Sequence, residues 1–192
     1  MKRKYGTRLK DYFTNDVIVV ALFILAIISG SVYALYIKDR DSSVFLMLNN
    51  YILLDAKTSF QIEKVLSSIY GYFKQLIVIW LFGLFAFTLP LSLGAFFIMV
   101  FSYAFTTTCI ILIYGIKGLM VAVFAYGLQA IIMLAIAMYL GISSIRKSSL
   151  KVPYVFGNNF LGIIPMAAGS CVIALLDVLT ISNLHYIVTL LL

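Results

Sequence analysis

The chain has 192 residues, of which 64% are apolar and 11% charged, with a mean hydropathy of +1.10. A soluble domain carries about 45–50% apolar and about 25% charged residues, so this chain has too few polar side chains to cover a core in water. The composition excludes a cytosolic enzyme, a disordered scaffold and a typical nucleic-acid binder. The net charge of +7 comes from 14 Lys/Arg against 7 Asp/Glu. Its surplus sits at the ends of apolar blocks, which suits the positive-inside bias and anionic lipid head groups better than a polyanion. Cys109 and Cys171 both lie inside apolar runs and read as small membrane-buried residues rather than a disulfide or metal pair.

In chain order, a basic start (Lys2, Arg3, Lys4, Arg8, Lys10) leads into an uncharged run of 21 residues from Val17 to Ile37. As a helix this run is about 31 Å long, enough to cross the hydrocarbon. It is too long for a typical signal-peptide core and has no clean cleavage site, so it is expected to stay as the first span.

Residues 38–74 hold five basic and four acidic side chains and are expected to leave the membrane. Thr58 and Gln61 have capping-box spacing. Ile62, Val65, Leu66, Ile69 and Phe73 then recur every three or four positions, with Glu63, Lys64, Ser67, Ser68 and Lys74 on the other face. The pattern predicts an amphipathic helix at the interface or against the bundle, and a partner-binding helix has the same pattern. Those five apolar residues, with Lys117, are the partner-docking candidates.

Gln75 to Ile116 is 42 residues without a charge, about 63 Å as one helix and twice the hydrocarbon thickness. It is expected to fold as two spans joined at Pro90 or Gly94, with Trp80 near the interface. Tyr114-Gly115-Ile116-Lys117-Gly118 reads as a short re-exposed hairpin. A fourth span follows over 117–145, then a basic loop over 146–151 with Arg146, Lys147 and Lys151. The last block, 152–192, carries only Asp177 as a charge. One main span over about 159–181 with an apolar tail is expected, two spans being the alternative. The fold class is therefore an all-α polytopic transmembrane bundle of five spans, or six, plus one external amphipathic helix. It forms a single integral membrane domain over 1–192.

Orientation follows from the basic ends. Residues 1–16 carry five basic against two acidic side chains, and 146–151 three basic and no acidic ones, which places both in the cytoplasm. Four spans between them agree with that placement.

Helices in lipid associate through close packing and polar contacts. Ala26, Gly30 and Ala34 form a small stripe in the first span, and the pairs Gly118/Ala122 and Ala137/Gly141 do the same in the fourth. Packing within the chain is the expected use, homo-oligomer contact the alternative. Thr106, Thr107 and Thr108 are expected to bond their own helix carbonyls, Thr107 being also a candidate lining group for a conduit. Gln129 lies in the fourth span, where a bare amide needs a protein partner or a polar cavity. Asp177 either is neutral or paired in the bundle, or faces head groups. His185 stands alone, without a ligand cluster. No catalytic, cofactor or metal site is expected, because no motif of spaced nucleophile, base, phosphate-loop or ligand residues occurs. Pro90/Gly94 and Pro165/Gly169 repeat a Pro-x-x-x-Gly break, which with Thr107, Gln129 and Asp177 gives the alternative of a small-solute transporter or channel.

The arrangement resembles the stage II sporulation protein M family. The residues that carry the resemblance are the basic start and first span, the amphipathic segment, Trp80-Leu81-Phe82-Gly83-Leu84, Pro90, Ser102-Tyr103-Ala104-Phe105 and the 114–118 hairpin. Gln129 sits near a proline-centred family motif, in whose place this chain has Ala125-Tyr126-Gly127-Leu128-Gln129, so the resemblance implies a divergent member. It covers about residues 1–182. It implies a non-catalytic anchor or scaffold in the bacterial cytoplasmic membrane that brings peptidoglycan hydrolases to the septal membrane during engulfment. Relatives in circular bacteriocin gene clusters imply the alternative, a secretion or self-immunity component beside an ABC transporter and a bacteriocin peptide. The partners expected are thus membrane lipids and other envelope proteins, with no nucleic acid and no cofactor.

Overall fold

The computed structural model describes residues 3–40, 42–54, 62–149 and 163–191. Seven α-helices account for nearly all of them: α1 Arg3–Lys38, α2 Ser42–Leu54, α3 Ile62–Phe82, α4 Leu89–Tyr114, α5 Ile116–Ala122, α6 Leu128–Ser149 and α7 Ile163–Leu191. Among the described residues five stretches are long and apolar enough to cross a membrane: Asp16–Lys38, Val65–Phe82, Leu89–Tyr114, Leu128–Ile145 and Ile163–Thr180. The protein is an all-α, five-span bundle of the multi-pass membrane type. Its outer surface agrees, since Ile24, Leu25, Ile28 and Val32 of α1 all point outward, where lipid rather than water satisfies them.

The segment between the first two spans differs from its sequence reading. Its non-spanning helix is α2, which has 13 residues and is too short to cross. The stretch Ile62–Phe73 is not a separate external element but the first part of α3, continuous with the second span. The physical reason is the direction of its apolar face. Val65, Ile69, Phe73, Leu76 and Ile79 follow helical spacing and turn toward the other helices, with Leu76 and Ile79 in the core. On α3, Glu63 and Lys74 are exposed on the opposite face. The capping-box residues Thr58 and Gln61 lie outside the described residues, as do Lys151, Pro153 and Asn158.

The uncharged run over 75–116 divides earlier than expected. α3 ends at Phe82, and the chain turns through Gly83–Phe85 and a 3-10 turn at Ala86–Thr88. The Thr88 hydroxyl donates to the Phe82 carbonyl (2.6 Å), tying off the end of α3. Pro90 sits in the first turn of α4, where its missing N–H does no harm, and Gly94 is inside α4. Gly83 marks the turn because the Ser144 hydroxyl of α6 occupies the place where a Cβ would project. At the other end of α4, Gly115 adopts φ 63 and ψ −139, and its N–H donates to the Ile111 carbonyl (2.8 Å). That conformation is open essentially to glycine alone, and it turns the chain into α5. α5, a π-helical stretch at Val123–Gly127 and α6 then run on in sequence. α7 is one continuous helix of 29 residues.

The bundle centre is filled by Leu76 and Ile79 of α3, Phe96 of α4, Met133 of α6, and Met166 and Ile173 of α7. α1 lies along α4 and runs in the same direction. Phe23 stacks on Phe96, and Tyr33 meets both Phe101 and Phe105 with ring centroids 5.7 Å away. Ala26, Gly30 and Ala34 are the buried residues of α1 on this seam. A Cβ on Gly30 would stand 2.6 Å from the Phe101 carbonyl oxygen, so only glycine permits this approach. Gly118 is seated likewise against the Ile110 carbonyl oxygen, and Gly141 approaches Val19 of α1 at an ordinary 3.5 Å. Ala122 and Ala137 are buried. Gly30, Gly118 and Gly141 thus sit where helices of the same chain meet, Gly118 and Ala122 lying on α5 rather than in the fourth span.

Candidate functional site: a polar belt and a side groove

Lipid offers no hydrogen bonds, so every polar group inside a span must find a partner in the protein. The bundle collects such groups on one level. Ser68 of α3 donates its hydroxyl to the Asp177 carboxylate of α7 (3.1 Å). Tyr103 of α4 lies within electrostatic reach of the same carboxylate. Three residues along α7, Thr180 Oγ1 accepts from Gln129 Nε2 of α6 (2.7 Å) and itself donates to the Leu176 carbonyl (2.6 Å). Gln129 is 2% exposed, so this partner is what makes its burial tolerable. The π-helical stretch immediately before Gln129 inserts a wider turn, and it packs on α7. Four helices thereby meet at one belt. A further bond, Ser92 Oγ to the Ile79 carbonyl (2.7 Å), joins α4 to α3 nearer the Gly83 turn.

Of the intramembrane candidates, Gln129 of α6 meets α7 at Thr180, three residues along from Asp177, and Asp177 is half-buried and bonded by Ser68. Thr107 lies one turn beyond Tyr103 on α4, in a groove described below. Thr106 and Thr108 donate to the carbonyls four residues back (2.9 and 2.8 Å), and the Thr108 and Ser31 hydroxyls pair across α4 and α1 (3.2 Å). Cys109 is buried and Cys171 exposed, both as free thiols. The side chain of His185 lies outside the described residues, as do those of Arg146 and Lys147.

The docking candidates do not form one free face. Ile62 opens α3, and its side chain lies outside the described residues. Val65, Ile69 and Phe73 are half-buried, Phe73 packing on the core, while Leu66 points outward. Lys117 is exposed on α5, at the same end of the bundle as α2, whose Asn49 accepts from the Tyr114 hydroxyl (2.5 Å).

The feature the sequence reading missed is on the other face of α3. Between α3 and α4 a groove of about 660 Å³ lies on the outer surface of the bundle. Gly71, Lys74, Gln75 and Val78 line it from α3, and Ile98, Ser102, Tyr103 and Thr107 are among its α4 residues. Lys74 is the tenth of the eighteen residues in the span Val65–Phe82. At 1.5 Å per residue its Cα is roughly 12–14 Å from either end. It is exposed, and among the described residues no carboxylate pairs with it. A lysine at the centre of a lone spanning helix costs about 2.5–3.5 kcal/mol on insertion. The hydroxyls of Ser102, Tyr103, Thr106 and Thr107 give its surroundings some polarity, and none of them supplies a counter-charge. The sequence signal for this was present but indirect: the apolar stripe from Val65 to Ile79 runs through the charged segment unbroken, which brings Lys74 into a helix long and apolar enough to cross a membrane.

Comparison of the chain with family models, with curated proteins and with solved structures finds no match.

Proposed function

We propose that this chain is a non-catalytic, membrane-embedded holding component of a bacterial cell-envelope complex, with its N-terminus in the cytoplasm. Its task on this reading is to keep an apolar partner in the plane of the bilayer. One observation carries it: the mostly apolar groove between α3 and α4 lies on the outer surface of the bundle, where Gly71, Gln75 and Ile98 of its lining are exposed. A partner reaching it arrives through the membrane, as a spanning helix or an apolar peptide does. The reading accords with the anchor or scaffold role that the resemblance to the stage II sporulation protein M family implies. The cytoplasmic orientation rests on the basic clusters at both 1–16 and 146–151.

The same groove supports a second reading, a component of circular bacteriocin secretion or self-immunity, because a small apolar peptide in the membrane is also a lateral occupant. Solute transport is less well supported. A conduit would run along the bundle axis, and there Leu76, Phe96, Met133, Met166 and Ile173 close-pack.

A photo-crosslinking residue at Ile98, in the groove, tests this in native membranes against the same residue at Tyr139, exposed on α6. A discrete adduct to a peptidoglycan-remodelling protein, formed from Ile98 only, is the expected result. An adduct to a small apolar peptide favours the second reading. Lipid adducts alone, equal at the two positions, overturn both.

A further inference from the structure

We infer that the α3–α4 groove seats a spanning helix of a partner protein that carries one carboxylate near its middle, with Lys74 as the counter-charge. The inference rests on the partner-holding reading above and specifies the partner's chemistry.

Shape supplies the first half of the argument. Gly71, Lys74, Gln75 and Val78 all line the groove. They fall at i, i+3, i+4 and i+7 on α3, which makes them one continuous stripe. On α4, Ala95, Ile98, Ser102 and Thr106 form a matching stripe. Two such stripes side by side make the seat that a third helix fills. Gly71 has nothing within 4 Å of where a Cβ would be. Its space is open, and a small residue there lets another backbone approach closely.

Charge supplies the second half and decides between occupants. Lys74 is a cation within the span Val65–Phe82, with no carboxylate partner among the described residues. A lipid head group does not meet it. The hydrocarbon boundary lies about 15 Å from the bilayer centre, and a lysine side chain extends about 6 Å. A second copy of this chain is a poor fit as well. Asp177 is the one acidic residue of α7, and it is already engaged by Ser68 within its own bundle. A helix from another protein, with Glu or Asp at matching depth, satisfies both the space and the charge.

The test uses the full-length protein in phosphatidylcholine vesicles with synthetic leucine-alanine spanning peptides. One peptide has Glu at its centre, one has Gln there, and one has Glu moved to its end. Binding is read by energy transfer from a donor on the peptide to an acceptor on the protein. The Glu-centred peptide should bind about tenfold more tightly than the other two. Lys74→Gln should abolish that difference and Lys74→Arg should keep it. Gly71→Leu, which leaves the charge in place, should weaken all three peptides alike. Equal binding of the Glu and Gln peptides overturns the inference, as does a Glu preference that survives Lys74→Gln. Lys74-dependent pairing of two protein copies without peptide also overturns it, by assigning the groove to self-association. So does displacement of the Glu peptide by added phosphatidylglycerol, which would mark a head-group site. The native-membrane crosslink separates the two levels. An Ile98 adduct undiminished in Lys74→Gln removes the charge pairing and leaves the holding role. A Glu preference in vesicles without any native adduct does the reverse.

Discussion

Gln129 on α6 donates to Thr180 on α7 at 2.7 Å, and Thr180 gives its own hydroxyl proton to the Leu176 carbonyl. The Thr180–Leu176 bond therefore survives when the amide is removed. Gln129→Leu should cost only about 0.6 kcal/mol, and no more than about 1.7 kcal/mol, the range of interhelical bonds in spans. Unfolding of the purified protein in mixed detergent micelles measures it. A loss well above that range would mean that the amide holds more than this one bond.

Gly30 and Gly141 are both interhelical glycines, and their substitution should differ sharply. Alanine at Gly30 puts a methyl group 2.6 Å from a backbone carbonyl oxygen, whereas at Gly141 the nearest atom is a Val19 methyl at 3.5 Å. Backbone cannot yield as a side chain can. Gly30→Ala should destabilise by about 1–3 kcal/mol, and Gly141→Ala should be neutral or slightly stabilising. Thermal unfolding of the two variants in the same detergent checks the contrast.

Gly115 isolates a different cost, because nothing lies within 4 Å of a Cβ there. Only its positive φ resists substitution. Gly115→Ala and Gly115→Asn should each lose about 1–3 kcal/mol, since ψ −139 lies outside the left-handed helical region that asparagine tolerates. Thermal unfolding in detergent checks this, and a clear rescue by Asn relative to Ala would contradict it.

Trp80 carries the one shielded side-chain polar atom without a hydrogen-bond partner among the described residues, its indole Nε1. An unmade bond of this kind costs about 1–3 kcal/mol. Trp80→Phe removes the N–H while keeping most of the ring that packs on the core. Stability should hold or rise by about 1 kcal/mol, net of the smaller volume. A clear fall in unfolding temperature would show that the indole N–H is bonded.

Much of the fold is legible in the residues alone. The uncharged run from Val17 to Ile37 matches the span Asp16–Lys38, because charge marks both of its ends. The break at Gly115 is legible because glycine and Lys117 stand together there. The division of the run over 75–116 is not, since an uncharged stretch holds no marker of depth and Pro90 is harmless in a first helical turn. The start of the second span is hidden for the opposite reason. Glu63, Lys64 and Lys74 raise the charge of the segment while occupying one face, and a count along the chain cannot see that Val65, Ile69 and Leu76 face inward. The belt residues Gln129 and Asp177 stand out as polar groups in apolar runs. Their connection through Ser68 and Thr180 depends on which helices are neighbours, and no spacing along the sequence encodes that.

The central claim is a five-span path that puts the Gly83–Thr88 turn and the Gly115 turn on opposite sides, with Lys74 between them. Single cysteines at Phe87, Ile116 and Lys74, in a background lacking Cys109 and Cys171, test it with a membrane-impermeant maleimide on right-side-out vesicles. Phe87 and Ile116 are 93% and 85% exposed, so neither is shielded by protein. The account predicts labelling of Ile116 directly, of Phe87 only after permeabilisation, and of Lys74 in neither condition. Labelling of Phe87 and Ile116 from the same side would contradict it, as would ready labelling of Lys74 from water.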